Sequence, residues 1–194
     1  MKKPIVSKKY REFYIETAKQ RVFDVLLRYP EKEFSLSELA RSAKVAKANI
    51  GDIINELKEI EFIQIIKFSN LWRIKANQSN WGFIRSKIVY NLNFIYQYNL
   101  VEFLIDYFGN PKSIILFGSF RLGRDISNSD IDIAIEREDF EEYKSVRLKE
   151  LERFEEEIGR DIQIHLFNRN NVDINVFNNI ANGIVLFGFL EVKK

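Results

Sequence analysis

Two aspartates one residue apart, Asp130 and Asp132, lie in the segment Ser129-Asp130-Ile131-Asp132-Ile133. On a strand, alternation puts both carboxylates on one face and Ile131, Ile133 and Ile135 on the other. At strand rise their Cα atoms are about 7 Å apart, so both side chains can converge on one divalent cation, and without a cation they repel. Carboxylates so placed hold the ions of phosphoryl-transfer sites, where the metal neutralises phosphate charge and activates the attacking oxygen. Ser129 follows Ser119 by ten residues, and upstream the apolar run Ser113 to Phe117 breaks at Gly118 and Ser119 before Phe120-Arg121-Leu122-Gly123-Arg124. That pattern is a strand, a tight turn and a helix start. Glycine lets backbone approach a ligand closely, and helix-terminal amides with a serine hydroxyl suit a phosphate. Alone, an acidic strand face or a Gly-Ser turn is a common surface feature; the combination points to nucleotide chemistry. With no cysteine and one histidine, thiolate chemistry is excluded and a structural zinc site is disfavoured. Any metal sits on oxygen ligands, which favours magnesium or manganese.

The elements that must position these residues follow from apolar spacing. Ile84, Ile88, Leu92, Ile95, Tyr96, Leu100, Phe103 and Leu104 recur every three or four residues between Trp81 and Phe108, as one or two helices stopped by Gly109 and Pro111. Phe140, Tyr143, Leu151, Phe154 and Ile158 mark a helix ending at Gly159. A strand from Asp161 to Phe167 follows, with Asp161, Gln163 and His165 on one face; His165 reads most simply as a partly exposed polar residue. Val172 to Ile180 is a closing helix and Gly183 to Gly188 an apolar strand.

The front of the chain has a different pattern. Ala18, Val22, Val25, Leu26 and Tyr29 give a helix from about Ile15 to Tyr29, ended by Pro30. Ser35 and Glu38 form a capping box for a second helix, and the Lys44-Val45 link leads to a third carrying Ile50, Ile53, Ile54 and Leu57. Gly51 inside that helix weakens it and marks close packing against a neighbour. Phe62 to Phe68 and Leu71 to Ala76 read as a hairpin turning at Ser69 and Asn70. The polar stretch Asn77 to Asn80 is the expected boundary, giving domains 1–78 and 79–194, with 79–110 as connecting helices.

Two resemblances follow. Helix, helix, short turn, helix and hairpin over residues 12 to 76 resemble the winged helix-turn-helix family. By that resemblance the third helix would present Lys44, Lys47 and Asn49 to a DNA groove, and the wing Lys67, Arg73 and Lys75 to backbone. Leu116-Phe117-Gly118-Ser119-Phe120-Arg121-Leu122-Gly123 with Ser129-Asp130-Ile131-Asp132 resembles the DNA polymerase beta-like nucleotidyltransferase superfamily, its minimal nucleotidyltransferases above all. The resemblance implies an α+β fold, here a winged helix domain before a small mixed sheet with flanking helices. It implies Gly118, Ser119, Arg121 and Ser129 at the nucleotide, with Asp130 and Asp132 as catalytic metal ligands. Members usually carry a third carboxylate where this chain has Gln163, which offers a carbonyl oxygen and no charge; Asp161 is the candidate substitute.

Charge supports the division. Residues 1 to 80 hold 16 basic and 10 acidic residues, net +6; residues 81 to 194 hold 14 and 18, net −4. A basic front is the footprint expected of a DNA-binding half. No apolar run reaches the roughly 20 residues of a membrane span, and the start resembles no signal peptide, so the expected location is cytoplasmic. The expected activity is magnesium-dependent transfer of a nucleoside monophosphate, AMP by resemblance, to a hydroxyl on a protein or small molecule. Resemblance further implies a toxin–antitoxin role with a HEPN-type ribonuclease partner and autoregulation through DNA, for which a homodimer is the common form. The alternative is a DNA-binding regulator whose second domain binds nucleotide without turnover.

Overall fold

The computed structural model describes residues 17–68, 71–170 and 172–192, with the backbone alone for residues 67, 68 and 71. These fall into two compact units that divide after Tyr90.

In the first unit, helix α1 (Ala18–Arg28) starts where the Thr17 hydroxyl accepts from the Gln20 amide, and it buries Val22, Leu26 and Leu27. The expected start at Ile15 lies outside the described residues. Helix α2 (Leu36–Ser42) opens on the capping box, Ser35 and Glu38 each bonding the other's backbone amide. Helix α3 (Lys47–Glu59) buries Ile50, Ile53, Ile54 and Leu57 on one stripe. Strands β1 (Ile63–Phe68) and β2 (Leu71–Ala76) pair antiparallel from Ile63↔Ala76 to Phe68↔Leu71; the expected turn at Ser69 and Asn70 is outside the described residues. Phe34 adds a bridge, exchanging two 2.8 Å backbone bonds with Ile74. Three helices and a wing hairpin around one core are the winged helix arrangement. Gly51 corrects the sequence reading: a Cβ there meets nothing within 4 Å, so close packing does not explain it.

Helix α4 (Trp81–Gln97) and helix α5 (Leu100–Tyr107) resolve the connecting segment as two helices, separated where Asn99 takes φ +53. The buried row on α4 is Phe83, Lys87, Asn91 and Ile95, at steps of four. It differs from the expected Ile84–Ile88–Leu92 row because two polar residues occupy it, each with a backbone carbonyl to bond: Leu27 for Lys87 and Phe120 for Asn91. Phe83 packs with Phe23 and Phe62, so the first turns of α4 belong to the first unit, whereas the sequence alone puts the boundary at Asn77 to Asn80.

The second unit is built on a mixed sheet ordered β5-β6-β4-β3-β7. Strands β3 (Ser113–Phe117) and β4 (Ile131–Glu136) are antiparallel, β4 and β6 (Ile162–Phe167) parallel, and β7 (Ile184–Gly188) closes the other edge against β3. One face carries Ile114, Leu116, Ile131, Ile133, Ile135, Ile162 and Ile164 into a core with α5 and helix α7 (Glu152–Ile158). The other carries Ile115, Ala134 and Phe167 against Ile180 of helix α8 (Ile174–Ala181). The segment before α7 departs from the expected helix: Lys144–Val146 is an edge strand, β5, antiparallel to β6, and Lys149–Leu151 is a 3-10 turn. Its apolar residues lapse between Tyr143 and Leu151 except at Val146 and Leu148, a two-residue step that fits pairing with an open sheet edge.

Candidate active site

At the end of β3 the chain turns sharply. Gly118 takes φ +72, a region glycine enters without cost, and starts a single helical turn, α6 (Gly118–Arg121). Leu122 and Arg124 amides return to the Ser119 carbonyl, closing the loop. At four residues α6 is too short for a macrodipole to carry the phosphate argument, so anion binding there rests on the turn's own groups. A Cβ on Gly118 would collide with the Asp132 carboxylate, its Oδ2 first and its Cγ at 3.0 Å. The glycine and the carboxylate therefore touch, which follows from register: Phe117 pairs with Asp132 across β3 and β4.

Asp132 is half-buried, with Oδ1 3.2 Å from His165 Nε2. His165 Nδ1 lies 2.6 Å from the Tyr143 hydroxyl. Burial and the Asp132 charge push the Tyr143 hydroxyl pKa up, so it stays protonated in the neutral range. Asp130 precedes β4, and Asp161 precedes its parallel neighbour β6, which brings them to the same sheet end. Gln163 is paired with Asp132 in register, so the two lie side by side on neighbouring strands. Its amide donates to Ser145 Oγ at 2.6 Å.

Arg147, just after β5, was not singled out by sequence. Its guanidinium bonds Asp161 at 2.8 Å, reaches Asp130 at 3.5 Å and Gln163 Oε1 at 3.5 Å. One cation thus lies between two of the aspartates, Asp130 and Asp161. Nothing in the sequence marks it, because a three-residue edge strand leaves only a weak apolar signal. Arg121 is half-buried, and its Nε is buried with no hydrogen-bond acceptor among the described residues. Ser129 Oγ accepts from the Ile126 amide at 2.9 Å, closing the turn that leads into Asp130.

A buried brace stands behind the site. Asn91 donates to the Phe120 carbonyl and to Asp125 Oδ1, both at 2.7 Å; Arg160 lies 3.9 Å from Asp125 Oδ2 and donates to the Ser127 carbonyl at 2.8 Å. The glycine turn and the loop before Asp130 are therefore held by one polar network. Asn91 had a readable signal, a polar residue four before the apolar Ile95.

A hard cation suits this donor set: magnesium is commonly held by one or two carboxylates with substrate phosphates completing the shell. Asp132 keeps Oδ2 free of protein hydrogen bonds in the described residues, whereas Asp130 Oδ2 lies 3.5 Å from the Arg147 guanidinium. Among the described residues no group of three His, Cys, Asp or Glu side chains converges as a metal cage, so phosphate oxygens would have to supply the remaining ligands.

In the first unit Lys44, Lys47 and Asn49 are exposed around the start of α3, and Arg73 and Lys75 are half-exposed on β2. The Lys67 side chain is outside those described. The remainder of α3 is more acidic, with Asp52, Glu56 and Glu59 against Lys58. Half of the front +6 lies outside the described residues, since residues 17 to 80 hold 11 basic and 8 acidic side chains, net +3. No helix among the described residues is long and apolar enough to cross a membrane.

Residues 98–180 match the model of the nucleotidyltransferase domain family. No curated protein matches the chain. Among solved structures, MepR, a transcription regulator of the Staphylococcus aureus multidrug efflux pump MepA, is 10% identical with TM-score 0.34, over 53% of this chain and 72% of that one. The adhesin competence repressor AdcR from Streptococcus pyogenes is 10% identical with TM-score 0.35, over 51% and 72%. The heme sensor PefR from Streptococcus agalactiae is 14% identical with TM-score 0.30, over 54% and 67%.

Proposed function

We propose that the second unit binds a nucleoside triphosphate at Gly118, Ser119, Arg121 and Ser129 and transfers its nucleoside monophosphate, AMP by family resemblance, to a hydroxyl on a protein or small molecule. The observation that carries this reading is the contact between Gly118 and Asp132: the phosphate-type turn and the acidic strand meet with no side chain between them. Arg121 Nε lacks an acceptor that a phosphate oxygen would supply. Asp130 and Asp132 are the residues that would hold magnesium or manganese, which when bound neutralises charge on the phosphates. In the transfer, the acceptor oxygen bonds to the α-phosphorus, the bond to the bridging oxygen breaks and pyrophosphate leaves. Gln163 has no basic oxygen for the acceptor's proton, so Asp161 takes it once Arg147 lets go.

The first unit holds DNA through Lys44, Lys47, Asn49, Lys67 and Arg73, in a cytoplasmic protein acting as a homodimer. A HEPN-type partner, modified by the transfer, would make the pair a toxin–antitoxin system that reads its own operator. A second reading has its own support in Gln163 and Arg147: a carboxylate is lost and a guanidinium sits across Asp130 and Asp161. In that reading nucleotide binds as a signal and is not turned over.

Incubation with α-labelled ATP and magnesium or manganese, with and without lysate of the native host, separates them. Label on an acceptor with the wild type and none with the Asp130→Asn, Asp132→Asn double variant supports the transferase. ATP bound without any transfer contradicts it and leaves the regulator.

A further inference from the structure

The hydrogen-bonded pair Tyr143–His165 behind Asp132 has no part in the transfer just described. We propose that His165, held by Tyr143, is a positioning residue for Asp132: the Tyr143 hydroxyl donates to Nδ1, Nε2–H donates to Asp132 Oδ1, and Oδ2 alone is turned toward the ligand. The inference rests on the nucleotide-site reading and deepens it.

The direction of the chain follows from its members. A carboxylate can only accept, so the ring nitrogen 3.2 Å from Asp132 Oδ1, Nε2, is the donor. In the Nε2–H tautomer Nδ1 is left as an acceptor, 2.6 Å from the Tyr143 hydroxyl that donates to it. The ring is confined as well: Phe117 meets it edge-on at 4.8 Å between centroids, and the Tyr143 ring stacks at 5.9 Å. Beneath it in register is Ala134, fully buried and small enough to leave the imidazole its place on the sheet. With Oδ1 taken, Asp132 offers a single oxygen, the one that borders Gly118. Hydrogen-bonded partners behind a metal-binding carboxylate commonly change metal affinity by about 10–100-fold when removed.

His165 is the sole histidine, so every imidazole signal in a nitrogen-15 spectrum belongs to it. The expected wild-type spectrum is that of the Nε2–H tautomer, and Tyr143→Phe should release the ring to a mixture of both tautomers. Alongside, manganese-ATP binding is measured for wild type, Tyr143→Phe, His165→Leu, His165→Gln and Asp132→Asn. His165→Leu is expected to weaken binding about 10-fold or more, and His165→Gln, whose amide can reach Oδ1, to recover most of it. A ring protonated at Nδ1, or unchanged affinity in His165→Leu while Asp132→Asn abolishes binding, overturns the positioning role alone. A wild type that binds no manganese-ATP, or an Asp132→Asn variant that binds it equally, overturns the nucleotide site and this inference together. Tyr143→Phe leaves the ring in place, so the tautomer readout stands even if His165→Leu folds poorly.

Discussion

Replacing Gly118 by alanine probes the contact on which the site is built, and Gly109→Ala supplies its control. Both glycines have positive φ, +72 and +64, so each substitution meets the same left-handed backbone penalty, about 1–2 kcal/mol. Their surroundings differ. A methyl on Gly109 would find Arg137 Nη1 at 3.8 Å, an ordinary contact, whereas on Gly118 it would overlap the Asp132 carboxylate. Overpacking of that kind costs about 1–3 kcal/mol more. Gly118→Ala should therefore destabilise the second unit by about 2–5 kcal/mol, read by amide exchange in β4, against about 1–2 for Gly109→Ala. Relief of the clash moves Asp132, so manganese-ATP affinity should fall at least about tenfold in Gly118→Ala and stay at wild type in Gly109→Ala. Equal destabilisation in the two variants, with nucleotide binding intact in both, would refute the contact and the argument drawn from it.

Gly51→Ala should stabilise the first unit by about 0.5–1 kcal/mol, since the site is open and alanine is the better helix former; tryptophan fluorescence during urea unfolding reports it, because Trp72 and Trp81 both belong to that unit. Arg160→Leu takes the guanidinium away from the buried Asp125 carboxylate, leaving Asn91 on its Oδ1, and should cost about 3 kcal/mol, seen as early loss of exchange protection in the second unit. Bonds from the Ser35 backbone and hydroxyl hold the Glu38 carboxyl below its ordinary pKa, so this cap contributes fully above pH 4.5 and is lost as pH falls through the lower folded value; Glu38→Gln should remove that acid-side dependence from the unfolding curve of the first unit. If Lys44 and Lys47 contact phosphates, a Lys47→Gln variant should bind DNA more weakly across all sequences, with a salt slope reduced by about 1.

Most of the architecture was legible because its signals are local. The Ser35–Glu38 box, the isoleucines of β4 and the Gly118 turn each announce their element within a few residues. Asp130, Asp132 and Gln163 were legible through spacing and resemblance, and parallel pairing of β4 with β6 brings them to one end of the sheet. What was not legible depends on partners distant in sequence. Arg147 gains its meaning from Asp130 and Asp161, and β5 exists because β6 leaves an edge to pair. Lys87 and Asn91 disguise the buried row of α4, since their acceptors lie 60 and 29 residues away. His165 is the partly exposed polar residue the alternation predicts, but its contacts with Phe117, Tyr143 and Asp132 come from three other segments and had no local signal.

The central claim is that the Gly118 turn and the Asp130–Asp132 strand form one metal–nucleotide site. A crystal grown with manganese and an ATP analogue that cannot be cleaved tests it most directly, because manganese is located by its anomalous scattering. The expected result is a manganese peak against Asp132 Oδ2 and Asp130, with phosphates along Gly118 to Arg121 and Arg147 withdrawn from Asp130. Nucleotide bound elsewhere, or phosphates on the turn with no manganese at either aspartate, would contradict it.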